Sequence, residues 1–256
     1  MLGLDFPPIN EVIRWQNFAG SFNKIALLAV LAAVVGATVF LVAGRKDPMQ
    51  APKGIRNLAE IIVEFIEDIV MQTIGKNGLV WTPWLLSVFV FVYLCNLPGI
   101  IPILQMPVTA RMALPLFLAI VVWVVYNAVG LRHQKLGYIT HMLWPPGVPT
   151  LMKPLVGLIE FVSNIILRPF SLAIRLFANM LAGHMLLVTF ALLADAMFLA
   201  KTKAFFLVPM GVLPLAMLIF LTAFEVLVGF LQAYIFTILT CVFIGQSRNS
   251  EHANAH

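Results

Sequence analysis

Residues 204–247 form a run of 44 residues that contains one charged side chain, Glu225. A straight helix of that length would measure roughly 66 Å, about twice the thickness of a bilayer's hydrocarbon core. No soluble fold has an interior deep enough to hide such a run. The rest of the chain agrees: 61% of the 256 residues are apolar, 11% are charged, and mean hydropathy is +0.99. A soluble domain carries about 25% charged residues. The composition therefore excludes a soluble enzyme or a nucleic-acid binder and requires an all-α polytopic membrane protein, because helices satisfy their own backbone in lipid. Each charge at membrane depth then needs a reason.

Charge-free stretches mark the spans. The first predicts a transmembrane helix over residues 23–44, stopped by Arg45, Lys46, Asp47 and Pro48. Residues 55–75 differ. Arg56, Asn57, Glu60, Glu64, Glu67, Asp68 and Gln72 fall on one side at helical spacing, with Leu58, Ile61, Ile62, Phe65, Ile66, Ile69 and Val70 on the other. This is an amphipathic interfacial helix. Its polar face is acidic, which favours a protein partner over anionic lipid. Residues 81–131 read as a transmembrane hairpin, with Trp81 and Trp84 at an interface and a break at Asn96-Leu97-Pro98-Gly99. A polar loop runs from Arg132 to Gly147.

The last hundred residues contain two long apolar stretches, 151–194 and 204–247, joined by a short connection from Asp195 to Lys203. Two long tilted helices forming a membrane hairpin account for them. Four short spans would need turns at Arg168-Pro169 and near Gly229. Pro169 is a candidate kink. The whole reads as one polytopic domain over 1–256, without an internal repeat.

Arg45, Lys46, Lys53, Arg56, Lys76, Arg132, Lys135, Lys153 and Arg248 fall on one side of this layout; Arg14, Lys24, Arg111, Lys201 and Lys203 fall on the other. The positive-inside rule puts the first side in the cytoplasm, with the N-terminus outside and the C-terminus inside. The segment Met1–Asp5 is not a basic n-region, so no cleavable signal is expected. Cys95 and Cys241 lie in apolar runs without metal-ligand spacing and read as small core residues. No cofactor or metal site is expected. A Gly-rich phosphate loop ending in Lys-Ser/Thr is absent, so any nucleotide chemistry belongs to another chain.

The decisive charge is Arg175, inside an apolar stretch where it costs about 2.5–3.5 kcal/mol or more. It cannot be deprotonated, so it is a fixed positive charge and not a proton carrier. Ser171 and Asn179 share its face; no acid lies one turn away. Its counter-charge is therefore on another helix or chain, with Glu225 or Glu160 as internal candidates that would simply lock the bundle. Proton-relay candidates are His184, Glu225, Glu160 and Asp195. His184 is nine residues beyond Arg175, half a turn round, so it points away from that face. Glu225 and Gln232 share a face of the last helix. A histidine exchanges protons near neutrality, and its pairing with Glu225 in otherwise apolar arms favours a relay.

Arg175-Leu176-Phe177-Ala178-Asn179-Met180-Leu181-Ala182-Gly183-His184 resembles the Arg-Leu-x-x-Asn-x-x-x-Gly segment of the a subunits of F-type ATP synthases. Glu225 through Phe236 resembles that family's final helix, and Asn96-Leu97-Pro98-Gly99-Ile100-Ile101-Pro102 its Asn-Leu-x-Gly-x-x-Pro. The resemblance implies a proton-translocating stator subunit, not catalytic on its own, in a bacterial plasma membrane. Its partners would be a rotor ring of c subunits, peripheral-stalk b subunits and other synthase subunits. It implies that Arg175 faces the rotor carboxylate, that Asn179 and Gln232 are its polar neighbours, and that His184 and Glu225 form the outer half-channel pair. Many bacterial members carry acid and histidine at these two positions in the opposite order; this chain has the exchanged arrangement of mitochondrial members. Glu160 matches the family's cytoplasmic acid, one residue further from Arg175 than is usual.

Two rivals make different predictions. A secondary transporter with an anion-binding Arg would show midplane broken helices and an inverted repeat. A passive anchor would use its charges only to hold helices together.

Overall fold

The computed structural model describes residues 24–44, 54–101, 107–134, 137–138, 152–198 and 211–249. Among the described residues there is no strand. The elements are α1 (Lys24–Gly44), α2 (Ile55–Thr73), α3 (Thr82–Asn96), α4 (Ala113–Gln134), α5 (Lys153–Val162), α6 (Arg168–Phe198) and α7 (Val212–Asn249). Five helical stretches are long and apolar enough to cross a membrane, which makes this a multi-pass membrane protein: Ile25–Gly44, Lys76–Gly99, Ala113–His133, Lys153–Phe198 and Val212–Ser247. The loop following Gln134 apart from residues 137–138, the Asp195–Lys203 connection beyond Phe198, and the predicted flanking cations Arg14, Arg45, Lys46, Lys53, Lys135, Lys201 and Lys203 lie outside the described residues.

Local sequence explains the boundaries. Gly75, at φ 85°, ends α2, and its N–H reaches back to the Val70 carbonyl at 3.1 Å. Pro83 occupies the first turn of α3, where its missing N–H costs nothing. At the other end Pro98 and Gly99 tighten the chain into a 3₁₀ turn. A second 3₁₀ turn, Val108–Ala110, is buried and packs against α6.

The last helix is the hub. It packs against α6, α3, α4 and α2, while α1 sits at the edge against α3 and α2. Phe65 of α2, Phe89 of α3 and Phe230 and Tyr234 of α7 form an aromatic cluster with ring centroids 5.7–6.1 Å apart. The amphipathic helix α2 is thus packed into the bundle, with Ile66 and Val70 fully buried. Its apolar side is wider than its packed seam, however: Leu58 and Ile61 remain 55% and 54% exposed. Cys95 and Cys241 are buried and free.

The long stretches are not split at the two candidate turns. The chain is helical from Lys153 to Phe198, and α7 runs unbroken through Gly229. The signature of Pro169 is a π-helical turn, Ser163–Leu167, between α5 and α6. Proline removes an intrahelical donor and crowds the carbonyl one turn back; a wider turn relieves both.

Candidate functional site

The arms α6 and α7 run antiparallel. Arg168 Nη1 donates to Gln246 Oε1 at 3.2 Å, and its guanidinium lies 5.2 Å from the Phe243 ring centroid. Further along, Gly229 faces Met180 and Gly183 faces Glu225. This register sets Arg175 level with the Gln232–Phe236 part of α7.

Arg175 lies near the middle of the helical stretch Lys153–Phe198 with its side chain exposed. Ser171 and Asn179, one turn either side, are exposed too. Among the described residues Arg175 makes no ion pair and no side-chain hydrogen bond. Neither Glu225 nor Glu160 neutralises it, so the bundle-locking role has no support. Small residues Ala178 and Ala182 continue the same exposed face.

His184 and Glu225 occupy the other side. They are 6% and 4% exposed. His184 Nδ1 and both Glu225 carboxyl oxygens have no hydrogen-bond partner. An ionisable group buried without a partner is costly. Hydroxyls elsewhere on α7 show the contrast: Thr237 and Thr240 are buried, but each donates to the carbonyl four residues back, at 2.8 and 2.7 Å. They satisfy themselves and need no further use.

Gly183 gives Glu225 its place. A Cβ on Gly183 would lie 3.2 Å from Glu225 Oε1, so the bare backbone of α6 lets the carboxyl approach. One turn further along α7, Asn96 Nδ2 donates to the Gly229 carbonyl at 3.3 Å, and Thr109 Oγ1 donates to Asn96 Oδ1 at 2.6 Å. Gln232 is buried as well. Sequence reasoning missed Thr109 as a member of this polar seam; nothing in its own run distinguishes it, since it is the packing of the turn Val108–Ala110 that sets it against Asn96.

Glu160 lies on the other side of Arg175 along the helical stretch. It is about 22 Å before Arg175 along the helix, whereas His184 is about 14 Å after it. Glu160 is half-buried and accepts a hydrogen bond from Asn164 Nδ2 at 3.0 Å. Asp195 is exposed near the end of α6, away from both groups. The arrangement is an exposed cation with Glu160 on one side of it along the helical stretch and the buried His184, beside Glu225 of α7, on the other.

The family model described as ATP synthase A chain matches residues 25–245, which include Glu160, Arg175, Asn179, His184, Glu225 and Gln232. The chain belongs to the ATP synthase A chain family. A protein named ATP synthase subunit a from Parafrankia sp. (strain EAN1pec) is 42% identical over 239 residues, covering 92% of this chain and 79% of the relative. One of the same name from Frankia alni is 43% identical over 226 residues, covering 87% and 76%. Another from Gluconobacter oxydans is 38% identical over 239 residues, covering 93% of each chain. Within this chain, the exposed Arg175 and the buried His184 and Glu225 are ionisable groups that packing leaves unexplained.

Proposed function

We propose that this A chain is the proton-translocating stator of an F-type ATP synthase, with Arg175 separating two half-channels that do not meet. The observation that carries the reading is the exposed, unpaired Arg175 midway along a membrane-spanning helix. Such a charge calls for a counter-charge from another chain. The c-ring carboxylate is that counter-charge. Ala178 and Ala182 beside it allow a facing helix to approach closely.

Protons enter from outside past Glu225 and His184 and load a rotor carboxylate. After almost a full turn of the ring they leave to the cytoplasm near Glu160. Arg175 attracts the ionised carboxylate, favours its release of the proton, and repels protons between the two paths. At 4 Å and an effective dielectric constant of about 20 the pair is worth about 4 kcal/mol, enough to bias site occupancy strongly. Asn179, exposed beside Arg175, and Gln232, buried at its level, are the polar neighbours of that encounter. The acidic face of α2, carrying Glu60, Glu64, Glu67 and Asp68, meets a protein partner of the assembly. The N-terminus is outside and the C-terminus in the cytoplasm of a bacterial plasma membrane.

Isolation in mild detergent tests the assignment. A stator co-purifies with the c-ring and the ATPase subunits. Recovery of the intact, monodisperse chain alone would favour a stand-alone transporter and refute the reading.

A further inference from the structure

The π turn between α5 and α6 exposes a backbone group that the helix cannot satisfy. Arg168 donates its N–H to the Ser163 carbonyl, five residues back. In that register the next carbonyl, Asn164, would take its hydrogen bond from residue 169, which is Pro169 and has no N–H. The residue is buried, so water cannot readily take the donor's place. Two side chains of α4 do so instead. Trp123 Nε1 and Tyr126 Oη each donate to the Asn164 carbonyl at 3.1 Å. The side chain of the same asparagine donates to Glu160 Oε2 at 3.0 Å. Three hydrogen bonds therefore link α4, through one residue, to the Glu160 carboxylate.

We propose that Trp123 and Tyr126 are positioning residues for Glu160, acting through the Asn164 carbonyl that the π turn and Pro169 leave without a main-chain donor. The inference rests on the reading of Glu160 as the cytoplasmic proton acceptor. Pro169 creates the vacancy, the ring donors fill it from a fixed direction, and Asn164 is pinned on its α4-facing side. Its amide then holds the carboxylate one turn away against the bundle instead of letting it swing into lipid. The π turn also takes up one residue more than an α turn between Glu160 and Arg175.

The test measures passive proton conductance in vesicles carrying the assembled membrane sector, with c-ring co-purification as the control for assembly. Trp123→Phe combined with Tyr126→Phe keeps an aromatic ring at each position and removes both donors. Conductance should fall about three- to tenfold, the scale of lost net hydrogen bonds. Two backgrounds separate positioning from packing. Pro169→Ala returns an N–H to residue 169, so the ring changes should lose most of their effect there. Asn164→Ala cuts the link to Glu160, so the ring changes should add nothing to its loss. An equal fall in all three backgrounds, or no fall in the first, overturns the proposal. Should Pro169→Ala abolish conductance by itself, the Asn164→Ala comparison decides alone. Glu160→Gln with unchanged conductance would instead refute the role of Glu160 and leave Arg175 untouched.

Discussion

Among single residues, the question is which polar groups the bundle needs for itself. Asn96 and Thr109 form a closed buried pair that ties the 3₁₀ turn to the last helix. Thr109→Val leaves the Asn96 amide oxygen short of a donor and should destabilise the chain by about 1–3 kcal/mol, read as a lower melting temperature of the detergent-solubilised complex. His184 and Glu225 have no such architectural bonds. Replacing either should stop proton-driven turnover while leaving assembly intact. Exchanging them, His184→Glu with Glu225→His, should preserve more proton pumping than either single loss; a double exchange worse than both would refute the relay pair. Gly183→Val presses a branched side chain towards the carboxyl that Gly183 now admits. It should reduce pumping severalfold at normal assembly, with Gly183→Ala milder. These groups differ in how legible they are from sequence. Arg175, His184 and Glu225 stand out because lipid makes a lone ionisable group conspicuous. Thr109, Trp123 and Tyr126 do not, since hydroxyls and aromatic rings are ordinary in membrane helices and their partners lie 13, 41 and 38 residues away in sequence.

Between helices, periodicity reveals more than it resolves. The acid-striped pattern of residues 55–75 identifies an amphipathic helix, yet it suggests that all its apolar residues face one way. The structure packs Ile66, Ile69 and Val70 inward and leaves Leu58 and Ile61 out. A helix apolar over half its circumference can choose its seam, and the choice is made by Phe65 docking among Phe89, Phe230 and Tyr234. Ile66→Ala should therefore lower the melting temperature of the solubilised complex by an amount equivalent to about 2–5 kcal/mol, whereas Leu58→Ala should change it by under about 0.5 kcal/mol. Pro169 is the converse case. The sequence marks it as a candidate kink, and a π turn and two donors from α4 let the helix continue through it. Proline reports a lost hydrogen bond; whether the chain turns depends on who else can supply one.

For the whole chain, helix length and charge scarcity combine. The helical stretch Lys153–Phe198 has 46 residues and Val212–Ser247 has 36. At 1.5 Å per residue neither stands upright within about 30 Å of hydrocarbon; tilt or protrusion must absorb the excess. A tilted pair of arms presents a long oblique surface, suited to a curved ring moving past it. On that surface the structure places Arg175 outward, without a counter-charge among the described residues, and keeps the unpartnered His184 and Glu225 inside. Sequence made the class, the helices and these three residues visible. It could not show which side of each helix faces outward, because a chain this apolar buries and exposes the same kinds of residue. The central claim is that Arg175 separates the two proton paths by meeting a carboxylate on the rotor. Its most direct test is gradient-driven ATP synthesis in membrane vesicles carrying Arg175→Ala, with assembly verified by c-ring co-purification. Synthesis should vanish while the assembled complex still passes protons down the gradient. Coupled ATP synthesis retained in the Arg175→Ala complex would contradict the account.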